Sequence, residues 1–284
     1  MSAVLPPPFR ILGPTAPASP VILSVPHAGR DYPPALLAAS RLTATQLQLL
    51  EDRHADALAA RAIDAGFSAI VATRARAWID LNRHEREVDP EMVDPRPQSD
   101  TLIRSAKVTG GLGLMPRRLR GSGDILHGRV SAACLEARIA ADHRPYHAHL
   151  SAMLRAARDR FGVAVLLDLH SMPPLAEGSD LVLGDLFGRS AQARYTRLAG
   201  DLAMARGMRV ALNTPYAGGH ILQTHAAPAR GIHAIQLEID RSLYLQADLR
   251  TPRADLGGID SLVLRIAEGL AEEALAQDIG VAAE

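Results

Sequence analysis

Short apolar runs, each closed by small or polar residues, recur along this chain, and stretches with helical spacing lie between them. Val21–Val25 (VILSV) stops at Pro26-His27-Ala28-Gly29, which predicts a strand followed by a tight turn. From Thr45 to Ala65, Leu47, Leu50, His54, Leu58, Ala62 and Ala65 fall on one side of a helix, with Gly66 as its C-cap. That helix would carry Glu51, Asp52 and Asp56, the two aspartates one turn apart on a shared face. Phe67–Thr73 predicts a second strand, and Trp78–Leu81 a third, or a continuation of the second after a bend. From His84 to Gly123 prolines and glycines break every pattern. Such a long irregular insertion predicts a flap that is functional or mobile. Gly128–Arg160 is helical in pattern, with a kink or a fresh start at Pro145.

Val163–Leu169 predicts the central strand, which delivers His170 and Ser171 at its end. Leu181–Leu183 and Met208–Leu212 are short strands. Between them Ser190–Arg206 is a helix, with Ser190 as N-cap and Gly207 past its end. His233–Ile239 is the last clear strand, and about Gly258 to Ala276 is an amphipathic helix. Residues 1–20, interrupted by proline throughout, predict an irregular arm. Strands alternating with helices, without a repeat or a linker, point to a single α/β domain over residues 1–284 with a mixed, mostly parallel sheet.

Composition narrows the function classes. With 284 residues, 48% of them hydrophobic, the chain can bury a full core. Lys+Arg and Asp+Glu stand at 31 each, so no net field favours nucleic acid or an acidic membrane. No apolar stretch approaches the length of a membrane span. The proline-rich N-terminus has no basic leader and is not expected to be a secretory signal. The single cysteine, Cys134, excludes an intramolecular disulfide. A cytoplasmic protein acting on a small molecule is the expectation.

Candidate chemistry gathers at the strand ends, where open α/β sheets bind ligands. His27 and His170 each follow a strand. Asp168, two residues before His170 on the same face, is suited to orient the imidazole. Glu238, nearly surrounded by apolar neighbours, is costly to bury unless it is paired or exchanges protons. Asp80, Asn82 and Arg83 arrive at a strand end, with Arg74 and Arg76 flanking the bend, and an Arg there suits a carboxylate. His143, Arg144, His147 and His149 cluster near Pro145; they line the site or form a polar helix face, the latter favoured for His143 and His149. Tyr216–His220 is a flexible turn that could approach a ligand, with His225 shortly after. Each residue alone also suits a bland role, such as a surface Arg or a solvated acidic face. Two imidazoles plus one carboxylate, however, make a catalytic zinc set with a position left for water. A separate buried Glu can take that water's proton, and an Arg can clamp an anionic substrate. No local H-E-x-x-H motif is present, so the ligands would come from three separated elements.

The stretches VPHAG (Val25–Gly29), RAWIDLNR (Arg76–Arg83), RPYH (Arg144–His147), LLDLHS (Leu166–Ser171), ALNTPYAGGHI (Ala211–Ile221) and AIQLEIDRSLY (Ala234–Tyr244) resemble the N-formylglutamate amidohydrolase family. They occur in that family's order and cover about Val21 to Tyr244. The resemblance implies a three-layer α/β/α fold of the zinc carboxypeptidase and aspartoacylase type, with one zinc ion. It implies His27 and His170 as ligands with Asp52 as the acidic ligand, Asp56 remaining the alternative one turn away. It makes Glu238 the general base and the pair Asn82 and Arg83 a binder of substrate carboxylate. Arg76 would stabilise the oxyanion or bind a second carboxylate, and His147, His220 and His225 complete the candidate substrate contacts.

The implied reaction is hydrolysis of an N-acyl acidic amino acid: N-formyl-L-glutamate to formate and L-glutamate, as in histidine breakdown. A zinc carboxypeptidase or another N-acyl amino acid or peptide deacylase is the alternative, and a non-catalytic metal-binding protein a third. The chain departs from the family at His220, often aromatic there, and at Thr224, often Arg. The stretch from His84 to Gly123 departs as well.

Overall fold

The computed structural model describes residues 6–119 and 121–276. The first five residues of the expected arm lie outside the described residues. Chain contacts define two compact units. The first comprises Met1–Arg10, Pro26–Glu51 and Ala72–Ala148, the second Ile11–Val25, Asp52–Val71 and His149–Glu284.

The second unit is built on a seven-stranded sheet. Its strands are β1 (Phe9–Leu12), β2 (Val21–Val25), β3 (Ser68–Ala72), β4 (Ala164–Met172), β5 (Leu181–Gly184), β6 (Val210–Leu212) and β7 (Ile232–Asp240). Their order is β1-β3-β2-β4-β7-β5-β6. The pairings of β2 with β3, β2 with β4, β4 with β7 and β5 with β6 are parallel; β7 with β5 is antiparallel. The fold is therefore α/β with a mixed, mostly parallel sheet.

Every residue of β2, β4 and β7 is buried. Continuous apolar runs form such strands because both faces of the sheet are covered. The few polar residues inside them must then find partners within the protein. Register sets which ones meet: Ser24 and Gln236 stand opposite Asp168 on its two sides, and Glu238 stands opposite His170. Paired residues of neighbouring strands point to the same face. Ser24, Asp168, His170, Gln236 and Glu238 thus share one.

The helices are α1 (Pro34–Ala39), α2 (Ala44–Leu47), α3 (Ala55–Leu58), α4 (Ala60–Asp64), α5 (Ala106–Thr109), α6 (Ala132–Arg138), α7 (Arg144–Phe161), α8 (Ala193–Met204), α9 (His220–His225) and α10 (Ile259–Leu275). In the second unit α10 packs on α3, α4, α8, β2 and β4. Its buried stripe of Ile259, Leu262, Val263, Ile266 and Leu270 has the spacing of a helix with one apolar face.

The structure corrects several sequence expectations. The arm is not wholly irregular, for Phe9–Leu12 forms β1 at the edge of the sheet beside β3. An edge is where a strand between prolines can pair. The single helix expected over Thr45–Ala65 is broken. Glu51 is extended and His54 adopts a left-handed φ of 60° ahead of α3, so Asp52 lies in the break and shares no helix with Asp56. Trp78–Leu81 is a turn and not a strand: Trp78 N–H bonds back to Ala75 O, and Asp80 N–H to Leu114 O at 2.7 Å. Ser190 does not cap α8. Its hydroxyl donates to Ala234 O at 2.8 Å, and the N-cap is Gln192. At Pro145 the expectation of a fresh start holds, since a π turn over Ile139–His143 separates α6 from α7.

In the first unit the described residues of the stretch 84–123 form short elements, including α5 and the antiparallel pair Arg118–Leu119 with Gly123–Asp124. It nevertheless buries Val88, Val108 and Leu114. Beside it the Trp78 indole donates to Asp142 at 2.7 Å, and the Arg138 guanidinium stacks 3.5 Å from the ring centre. A cation over Trp strengthens such a stack.

His233 in β7 is buried against Tyr195, and its Nδ1 has no hydrogen-bond partner among the described residues. Burial, helped by the nearby Arg194 charge, pushes its pKa from 6.5 down to about 4. The unfolded chain therefore takes up this proton first, and stability falls as pH drops below 6.5 towards 4. Between pH 7 and pH 5 the wild type should lose roughly 2 kcal/mol that a His233→Phe variant keeps. Urea unfolding at both pH values checks this, and equal losses would clear His233 of the effect.

Candidate active site

In the second unit the site grows out of β4. Its second half, Asp168–Ser171, is polar but still buried, so each group must be satisfied in place. Asp168 Oδ2 holds His170 Nε2 at 2.9 Å, while Asp168 Oδ1 accepts from the Ser24 hydroxyl at 2.7 Å. The tautomer and ring plane of His170 are thereby set. Its other nitrogen, Nδ1, meets Asp52 Oδ2 at 3.0 Å. The second oxygen of Asp52 accepts from Arg241 Nη2 at 3.1 Å. On β7, Glu238 Oε1 accepts from Gln236 Nε2 at 2.9 Å.

Burial alone would push the His170 imidazole down. Asp168, Asp52 and Glu238 outweigh it and hold the pKa well above the usual value. Three carboxylates around one buried imidazole call for a cation. Asp52 and His170 are suited to hold a metal ion, because each has its remaining polar atom fixed by an outer partner.

In the first unit the centre is Asp80, fully buried. It accepts from His27 Nε2 at 2.8 Å, Arg76 Nε at 2.8 Å and the Asn82 N–H at 2.9 Å; Arg83 Nη2 lies 3.7 Å away. Burial would raise the Asp80 pKa, but Arg76, Arg83 and His27 draw it well below the usual carboxylate range. The loop bearing His27 is tightly seated. A Cβ at Gly29 would fall 2.0 Å from Arg74 O, so only glycine allows this approach. Arg83 donates to Leu112 O at 2.7 Å and Asn82 O at 2.6 Å. His143 Nε2 donates to Arg83 O at 2.8 Å, and His147 Nε2 to Leu81 O at 2.9 Å. Two imidazoles thus pin the backbone of the Leu81–Arg83 turn. His143 is buried and is not the solvated helix position expected of it, whereas His149 is exposed.

Of the residues singled out in the sequence, Asp52, His170 and Glu238 come together in the second unit. His27, Arg76, Asn82 and Arg83 come together around Asp80 in the first, with His147 bracing them. His220 is not part of a flexible turn: it opens α9, with its Nδ1 3.1 Å from the Thr224 hydroxyl, and His225 closes the same helix, buried. Asp56 sits in the first turn of α3. Sequence inspection left two residues without a role, Asp80 as partner of His27 and Arg241 as partner of Asp52. The signal for Arg241 was its place three residues after Glu238, at the end of the same strand.

The family model for N-formylglutamate amidohydrolase matches residues 19–245. N-formylglutamate deformylase of Pseudomonas putida is 32% identical over 256 residues, with 87% of this chain and 90% of that protein covered. The deformylase of Pseudomonas aeruginosa is also 32% identical, over 264 residues, with the same coverage of 87% and 90%. The crystal structure of N-formylglutamate amidohydrolase from Ralstonia eutropha JMP134 matches with a TM-score of 0.85 at 29% identity, covering 94% of this chain and 99% of that one.

Proposed function

The chain belongs to the N-formylglutamate amidohydrolase family, and on that premise we propose that it hydrolyses N-formyl-L-glutamate to formate and L-glutamate with the help of one zinc ion. The observation that carries this function is the cluster on β4 and β7. There Asp52 meets His170 at 3.0 Å, and Glu238 stands opposite His170 in strand register.

We assign His27, Asp52 and His170 as the residues that would hold the ion. The donor set fits: two imidazoles and one carboxylate suit zinc and leave room for water and substrate. Asp52 is preferred over Asp56 because it is the one that meets His170. With Asp80 on His27 Nε2 and Asp168 on His170 Nε2, both imidazoles would offer Nδ1. An ion so held supplies Lewis acidity, polarising the formyl carbonyl and acidifying a water.

The protein's own groups do the rest. Glu238 takes the proton of the attacking water on its carboxylate. It delivers that proton to the amide nitrogen as the C–N bond breaks, so formate and a free amine leave. Asn82 and Arg83 hold a substrate carboxylate and fix the amide in a reactive pose. Arg76 stabilises the negative charge that develops on the carbonyl oxygen. His147, His220 and His225 line the substrate's surroundings. In this proposal residues 1–284 act as one three-layer α/β/α amidohydrolase domain of the zinc-carboxypeptidase kind, with 84–123 as a flap. A cytoplasmic location is supported by the single cysteine, which fits a reducing compartment. Among the described residues no helix is long and apolar enough to cross a membrane.

The test is formate release from N-formyl-L-glutamate by zinc-loaded protein against a chelator-stripped control. Metal-dependent release is the expected result. No release from protein shown to contain zinc would overturn the substrate and turn the search to other N-acyl amino acids.

A further inference from the structure

The interruption at Asp52 has a physical cause in the second unit. Helical spacing continues through residues 51–54, yet the chain leaves the helix there and places His54 at φ 60°, a conformation uncommon for a residue other than glycine. The turn after β7 holds this segment at two points. Arg241 Nη2 donates to Asp52 Oδ1 at 3.1 Å, and the Tyr244 hydroxyl donates to Arg53 O at 2.8 Å. The turn is itself fixed. Asp240 accepts from Ser242 N–H at 2.8 Å and from the Ser242 hydroxyl at 2.7 Å. Arg241 Nε donates to the Ser171 hydroxyl at 3.0 Å, so the edge of its guanidinium faces the protein.

We propose that Arg241 and Tyr244 form a clasp on Asp52–Arg53, and that Arg241 is the positioning residue that sets how tightly the metal is held. This rests on the metal site assigned above. Asp52 is buried near two further carboxylates, Asp168 and Glu238. The guanidinium of Arg241 occupies Oδ1, which leaves Oδ2 directed at His170. Because Ser171 adjoins His170, a single guanidinium ties together the strand of one ligand and the loop of another. The Nε–Nη2 edge of Arg241 is thereby engaged by Ser171 and Asp52.

Chelator-competition titration with zinc, on wild type and variants at one pH, tests the clasp. Arg241→Gln should weaken zinc binding by about 10–100-fold, the usual cost of losing an outer partner of a ligand. KM for N-formyl-L-glutamate at saturating zinc should stay near the wild-type value. Arg241→Lys should recover part of the affinity. Tyr244→Phe, which keeps the buried ring, should weaken binding about 2–10-fold, the worth of one hydrogen bond. Arg241→Gln with wild-type zinc affinity and a raised KM would overturn the proposal and make Arg241 a substrate clamp. Unchanged affinity in Tyr244→Phe would remove the second half of the clasp. Wild-type protein that takes up no zinc would instead bring down the metal assignment itself, a distinct result.

Discussion

A Glu238→Gln variant is expected to keep its fold and its zinc and to lose turnover by about 10²–10⁴-fold. The reasons lie in β7. Glu238 is buried in a strand whose every residue is buried, opposite His170 in register. A carboxylate at that place costs stability unless its charge is used. Glutamine has the same shape, and its carbonyl oxygen can still accept from Gln236 Nε2, which donates to Glu238 Oε1 at 2.9 Å. What glutamine lacks is a basic oxygen able to take a proton from water. The loss should therefore fall on kcat and leave metal content alone. Kinetics on N-formyl-L-glutamate, with zinc measured on the same samples, decide it. A kcat near wild type would remove Glu238 as the base.

His170→Ala should lose both zinc and activity, down to background. It should also be less stable, by about 3–5 kcal/mol if the imidazole acts as the charged partner of a buried pair. The substitution removes the group lying between Asp52 and Asp168 and leaves these two carboxylates, with Glu238 nearby, short of their shared counter-charge. Because of that second loss, zinc stoichiometry should be read together with a folding signal such as circular dichroism. His27→Ala serves as the companion, since it removes the other proposed imidazole ligand while leaving the β4 cluster as it is. Full zinc stoichiometry in both variants would sink the ligand assignment.

The sheet was legible wherever burial on both faces wrote an unbroken apolar run. VILSV is β2 residue for residue; β4 differs from its expected span mainly by running further into its polar end, and β7 by one residue at each end. Asp168 as the partner of His170 was legible for a similar reason, since two-residue spacing in a strand puts both on one face. Long-range bonds hid the rest. Nothing local to residues 45–65 announces that Arg241 and Tyr244, almost two hundred residues away, bond to Asp52 and Arg53 in the break. Nor does the alternation in Trp78–Leu81 reveal that Asp80 gathers His27, Arg76 and Asn82 around it and so shapes a turn. Single-strand register places His27, His170 and Glu238 near strand ends, but which partners orient them is a property of the folded chain.

The edge strand β1 bears on how the protein can be handled. It covers β3, whose outer backbone groups would otherwise point outwards unpaired. An unpaired, apolar edge is a template for another chain to add to. SAIVA in β3, with no charge and no proline, is the kind of sequence that does so readily. Trimming the proline-rich leader up to residue 12 to obtain a tidier protein would thus invite self-association. A shortened version is better begun ahead of Phe9.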